Sequence, residues 1–166
     1  MQNVVARPKV GVLALTLELY ETLAPGLRED REAWLRKEAL TALAPHAEIV
    51  FKAAVSRRQD IDAVVADYEA QGVDCLLVVL LTYSPSQLAL PALQRTRLPI
   101  VIWNTQELWA VDDRFDGAAM TANHGVHGTQ DLGNVLLRSG VKFEYVTSHL
   151  RDPKALTAVV DRKSVV

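Results

Sequence analysis

The stretch VDCLLVVLLT, Val73–Thr82, decides the fold. It is apolar almost throughout and does not alternate with polar residues. A strand with only one buried face alternates; a continuous apolar run is what a strand covered on both faces requires. This run is therefore expected to be the central strand of a parallel sheet, with helices packed on either side. Its flanks agree. Upstream, SRRQDIDAVVADYEAQG (Ser56–Gly72) carries Ile61, Val64, Val65 and Tyr68 at helical spacing, with Ser56 as expected N-cap and Gly72 as the stop. Downstream, SPSQLALPALQRT (Ser84–Thr96) predicts a helix that Pro91 should kink or split.

Further outward the same alternation continues. KVGVLALTL (Lys9–Leu17) predicts a first strand and Arg28–Ala44 a helix whose stripe is Trp34, Leu35, Ala39, Leu40 and Leu43. AEIVFKAAV (Ala47–Val55), LPIVIWNT (Leu98–Thr105) and KFEYVTSH (Lys142–His149) read as the remaining strands. Gln106–Asn123 has no clear periodicity and reads as a loop. Gly125–Gly140 reads as a helix ended by Gly140, and Asp152–Val160 opens another. Five β-α repeats predict an α/β domain: a three-layer, Rossmann- or flavodoxin-like parallel sheet of about five strands in the order 2-1-3-4-5.

The totals exclude several classes of function. The chain has 166 residues, enough for one domain with a good core, and a formal net charge of −2. Without a basic stripe, nucleic acid is not an expected partner. The one cysteine, Cys75, lies inside the central apolar run, so it is expected to be a buried thiol. No run approaches membrane-spanning length, and the N-terminus lacks a signal-peptide layout. A cytoplasmic protein without membrane contact is expected. The turn after the first strand, TLELYETLAPG, has neither GxGxxG nor GxxxxGK[ST], which argues against a dinucleotide or P-loop enzyme.

In open α/β sheets, ligands bind beyond the carboxyl ends of the strands. There the sequence places Thr16, Glu18 and Tyr20; Thr82, Tyr83, Ser84 and Gln87; Trp103, Asn104, Gln106 and Glu107; and Ser148 and His149. The helix start TANHGVHGTQDL (Thr121–Leu132) adds His124 and His127. Hydroxyls, amides and imidazoles together suit a polyol or sugar, where many weak hydrogen bonds fix orientation.

Two histidines three apart share a helix face. They could begin a metal site with Asp131 as third ligand, but three or four ligands are needed and Gly125 and Gly128 read as a soft frame. They could merely cap the helix. The preferred reading is ligand contact by a neutral imidazole at a helix N-terminus. Trp103 and Trp109 flank the region; the simpler reading makes each a lid on the core.

VIWNTQ, NHGVHG with QDL, and TLELY resemble the N-terminal domain of the L-arabinose and L-fucose isomerase group, over roughly Lys9–Pro153. The resemblance implies a cytoplasmic aldose–ketose isomerase, an oligomer and often a hexamer. It implies Mn²⁺ or another divalent metal held by later domains, with neither metal ligands nor catalytic residues in this chain. In arabinose isomerases a glutamine and a histidine three apart contact the sugar; His124 and His127 occupy those places. Leu17, Glu18 and Leu19 occupy the place of a glutamine-histidine-leucine run. Asn104 and Gln106 complete the expected substrate-binding set. The expectation is thus a substrate-recognition and oligomerisation domain, residues 1–160, inactive by itself. The alternative is a stand-alone, non-catalytic module binding a sugar or other small molecule. The last six residues, Asp161–Val166, match the translation of a common sequencing adapter, GATCGGAAGAGCGTCGTGTAG, followed by a stop. They are expected to be adapter read-through rather than native chain.

Overall fold

The computed structural model describes residues 7–150 together with Asp152, Lys154, Leu156 and Val159. Five parallel strands form one sheet in the order β2-β1-β3-β4-β5. They are β1 (Lys9–Leu15), β2 (Glu48–Val50), β3 (Cys75–Leu80), β4 (Ile100–Asn104) and β5 (Glu144–Thr147). Every residue of β3 is buried, as its unbroken apolar run requires. Its side chains alternate between two cores. Cys75, Leu77 and Val79 face Leu35, Ala39 and Leu43 on one side. Leu76, Val78 and Leu80 face Ile61, Val65, Leu93, Leu132 and Leu136 on the other. Helices therefore cover both faces, the expected three-layer α/β arrangement. Trp34 packs against the first core and Trp103 is wholly buried within it, with Cys75 also buried there.

The helices are α1 (Leu19–Leu23), α2 (Leu27–Trp34), α3 (Thr41–Leu43), α4 (Arg58–Ala70), α5 (Ser86–Arg95), α6 (Gly117–Ala122) and α7 (Gly125–Arg138). Between α2 and α3 the backbone is a π-helix, Leu35–Leu40, where the apolar periodicity predicts an ordinary helix. Gly72 and Gly140 end α4 and α7 in the left-handed region, φ 64° and 70°.

Three expectations need correction. Ser56 does not cap α4: Arg57 holds the cap position, without a side-chain bond, and Asp60 supplies the negative charge of the first turn. Pro91 does not split α5, which runs through it. Proline removes the N–H that would bond the carbonyl of Gln87, and the Arg58 guanidinium donates to that carbonyl instead, at 2.8 Å. The loop over 106–123 contains α6, whose N-cap Asp116 accepts from Ala119 N at 2.8 Å.

Of the predicted last helix, Leu156 and Val159 are helical, and Val159 is buried against the first core; the rest of that helix and all of Asp161–Val166 lie outside the described residues. Among the described residues, no helix is long and apolar enough to cross a membrane.

Candidate functional site

The start of α7 is seated directly on the end of β3. A Cβ built on Gly125 would lie 2.1 Å from the backbone oxygen of Leu80. One on Gly128 would lie 2.5 Å from Leu80 Cδ2 and 3.0 Å from Ser84 N. The two glycines are thus close-approach positions, not a soft frame. Each histidine precedes one of them by a residue, about 100° back around the helix. The glycines face the sheet, and His124 and His127 are carried to the cleft beside it.

That cleft has a volume of about 520 Å³ and lies at the carboxyl ends of β4 and β5. Asn104, Gln106, His124, His127, Ser148 and His149 line it, with Trp109, Phe115 and Met120 contributing apolar wall. Several of these side chains are held in place. Trp103 Nε1 donates to Ser148 Oγ at 3.0 Å, and Asn104 Nδ2 donates to Thr147 Oγ1 at 3.4 Å. Asn123 braces the loop: its Oδ1 accepts from Leu108 N at 3.2 Å, and its Nδ2 donates to Ala119 O at 2.8 Å. His149 Nε2 lies 3.0 Å from Glu107 O, and its ring meets Trp109 edge-on, centroids 5.0 Å apart. Glu107 in turn pairs with Arg31.

His124 sits among rings from α1, from the β3–α5 connection and from α7 itself. Tyr20 Oη lies 3.2 Å from its Nδ1. Tyr83 is 5.7 Å away between centroids, and His127 is 4.5 Å away and nearly perpendicular. Burial lowers the pKa of His124, and the adjacent His127 lowers it further, so the ring is neutral near pH 7. Burial, and then the neighbouring Tyr83, raise that of Tyr20, which stays protonated. The strand ends also carry buried hydroxyls, Thr16 Oγ1, Ser84 Oγ and Thr105 Oγ1, that have no hydrogen-bond partner among the described residues.

Of the residues singled out from sequence, the structure brings together His124, His127, Asn104 and Gln106. Leu17, Glu18 and Leu19 do not line the cleft. Glu18 is taken up by Arg57, whose Nε donates to it at 2.8 Å, and Leu19 is exposed. Tyr20, next in the chain, does not line the cleft either but reaches Nδ1 of His124, which does. Asp131, considered as a third metal ligand, accepts from Ser86 N at 2.9 Å at the start of α5. Among the described residues, no three His, Cys, Asp or Glu side chains gather as a metal site would need. Sequence reasoning weighed Trp109 as a core lid, but it is 60% exposed on the cleft wall. Phe115 and Met120 were not anticipated, because the loop that carries them has no periodicity to read.

Comparison with known proteins gives two findings. The family model described as the L-arabinose isomerase N-terminal domain matches residues 28–165. An L-arabinose isomerase of Bifidobacterium animalis subsp. lactis is 29% identical over 85 residues, which cover 51% of this chain and 16% of that enzyme. The matched stretch is thus a small part of the relative's length.

Proposed function

The chain belongs to the L-arabinose isomerase N-terminal domain family, and from that premise we propose that it recognises sugar for a longer, metal-dependent aldose–ketose isomerase. The substrates in this reading are sugars of the L-arabinose and L-fucose class. The observation that carries it is the cleft where His124, His127, Asn104 and Gln106 converge. Neutral imidazoles and amides can both donate to and accept from sugar hydroxyls without a net charge to neutralise. The apolar wall of Trp109, Phe115 and Met120 suits the C–H face of a sugar ring.

Mn²⁺ or another divalent ion belongs to this proposal, but the described residues do not fit it. The two adjacent imidazoles lack a third ligand, and Asp131 is committed to α5. The metal and the groups that move protons are assigned to parts of the parent protein outside this domain. Oligomerisation is the second proposed role. Leu108, Trp109, Val111 and Met120 expose apolar side chains around the cleft, a surface that a neighbouring subunit would cover. The parent is proposed to be cytoplasmic, and Asp161–Val166 to be adapter read-through.

The test is a titration of L-arabinose and L-fucose into the chain labelled with ¹⁵N-histidine, with ketose assayed in parallel in the presence of Mn²⁺. The reading expects the His124 and His127 signals to move with at least one sugar and no ketose to form. Imidazole signals indifferent to both sugars would remove the recognition role. Metal-dependent turnover would remove the division of labour.

A further inference from the structure

We infer that Tyr20 is a positioning residue that fixes His124 as the Nε2–H tautomer, so that this ring presents a hydrogen-bond donor to a ligand oxygen. The inference rests on the reading of the cleft as a sugar site and names the polarity of one of its contacts. It begins with the 3.2 Å approach of Tyr20 Oη to His124 Nδ1, made across 104 residues of sequence by the short helix α1. Which atom of a neutral imidazole carries the proton is set by the bond its other nitrogen makes.

Two arrangements would satisfy this distance. Either the phenol donates to a bare Nδ1, or Nδ1–H donates to the phenol oxygen. A phenol is a far stronger acid than a neutral imidazole N–H, and an imidazole nitrogen is a far stronger base than a phenol oxygen. The proton therefore stays on Oη, and Nδ1 accepts. His124 occupies the N-cap of α7 but makes no side-chain cap bond, so Nδ1 is not engaged by the helix backbone. With Nδ1 accepting, the ring proton is on Nε2, and among the described residues no hydrogen bond engages Nε2.

The neighbours keep the ring neutral. His127 stands edge-on at 4.5 Å, and two charged imidazoles at that separation would repel. Tyr83 closes a further side at 5.7 Å. The consequence is chemical selectivity at one point of the cleft. His124 Nε2–H donates to a hydroxyl or carbonyl oxygen of the ligand and turns away a group that can only donate.

Long-range ¹H–¹⁵N correlation of the ¹⁵N-histidine chain reads the tautomer directly. The expected spectrum has His124 Nδ1 at the downfield position of an unprotonated ring nitrogen and Nε2 at that of a protonated one, widely split. In Tyr20→Phe the two signals should close toward an averaged position, while His127 keeps its shifts. A protonated Nδ1 in the wild-type chain overturns the inference without any variant, so a Tyr20→Phe chain that fails to fold does not shelter it. An unchanged His124 pattern in a folded Tyr20→Phe chain overturns it as well. Adding L-arabinose and L-fucose to the same sample separates the two readings. A fixed tautomer that ignores both sugars supports the positioning role and sinks the sugar site; sugar-sensitive signals with a protonated Nδ1 do the reverse.

Discussion

One methyl group added at Gly125 would put a carbon 2.1 Å from the carbonyl oxygen of Leu80, which is backbone and cannot swing aside. Gly125→Ala is therefore expected to lose roughly 1–3 kcal/mol, toward the upper end, and to displace both histidines from the cleft. Gly117, the first residue of α6, has nothing within 4 Å of the same virtual atom, and its φ is not positive. Gly117→Ala should gain up to about 1 kcal/mol. Urea unfolding of the two variants checks the contrast. His124 gives a pH signature. Its folded-state pKa lies below the ordinary value of 6.5, so the unfolded chain takes up this proton more readily. Its contribution to stability is complete above 6.5 and is lost as pH falls through the folded-state value. His124→Asn should therefore flatten the fall in urea midpoint between neutral and mildly acid pH. At this scale sequence reading reached the histidines, whose spacing is local. It missed the partnership with Tyr20, which exists only once α1 and α7 meet, and it misjudged the glycines because a close approach has no signature in one sequence.

Elements were legible where hydrophobic pattern alone sets them. The unbroken run of β3 and the stripe of α4 each dictated a type of element and the number of faces it buries. The failures came where a distant side chain repairs a local rule. Proline inside α5 removes a donor, and Arg58 on α4 supplies one to the stranded Gln87 carbonyl. A propensity argument sees the loss but not the repair. This exchange predicts coupling. Arg58→Met should cost roughly 1 kcal/mol in the native chain and nearly nothing beside Pro91→Ala, where the restored N–H bonds Gln87 itself. A double-mutant cycle followed by urea denaturation measures it. The π-helical stretch Leu35–Leu40 has no sequence signal of the kind that marks α4, since its apolar residues fit either winding. The short helix α6 did have one, the cap at Asp116, overlooked because the surrounding loop shows no periodicity.

For the whole molecule, right-handed crossovers prune the topologies without fixing a strand order; the observed order is the expected flavodoxin-like 2-1-3-4-5, and the carboxyl edge of that sheet holds the cleft. Above it, Leu108, Trp109, Val111 and Met120 remain exposed. A domain that meets neighbouring subunits through this rim should self-associate with concentration, and Trp109→Ser with Val111→Ser should shift sedimentation toward the monomer. The central claim is that this domain recognises sugar for catalytic parts encoded beyond it. Reading the source DNA past the codon for Val160 tests that claim most directly. The account predicts adapter sequence over Asp161–Val166 and a native frame that continues for several hundred residues, carrying glutamates and histidines spaced to hold a divalent metal. Native codons through Val166 followed by an authentic stop would contradict it.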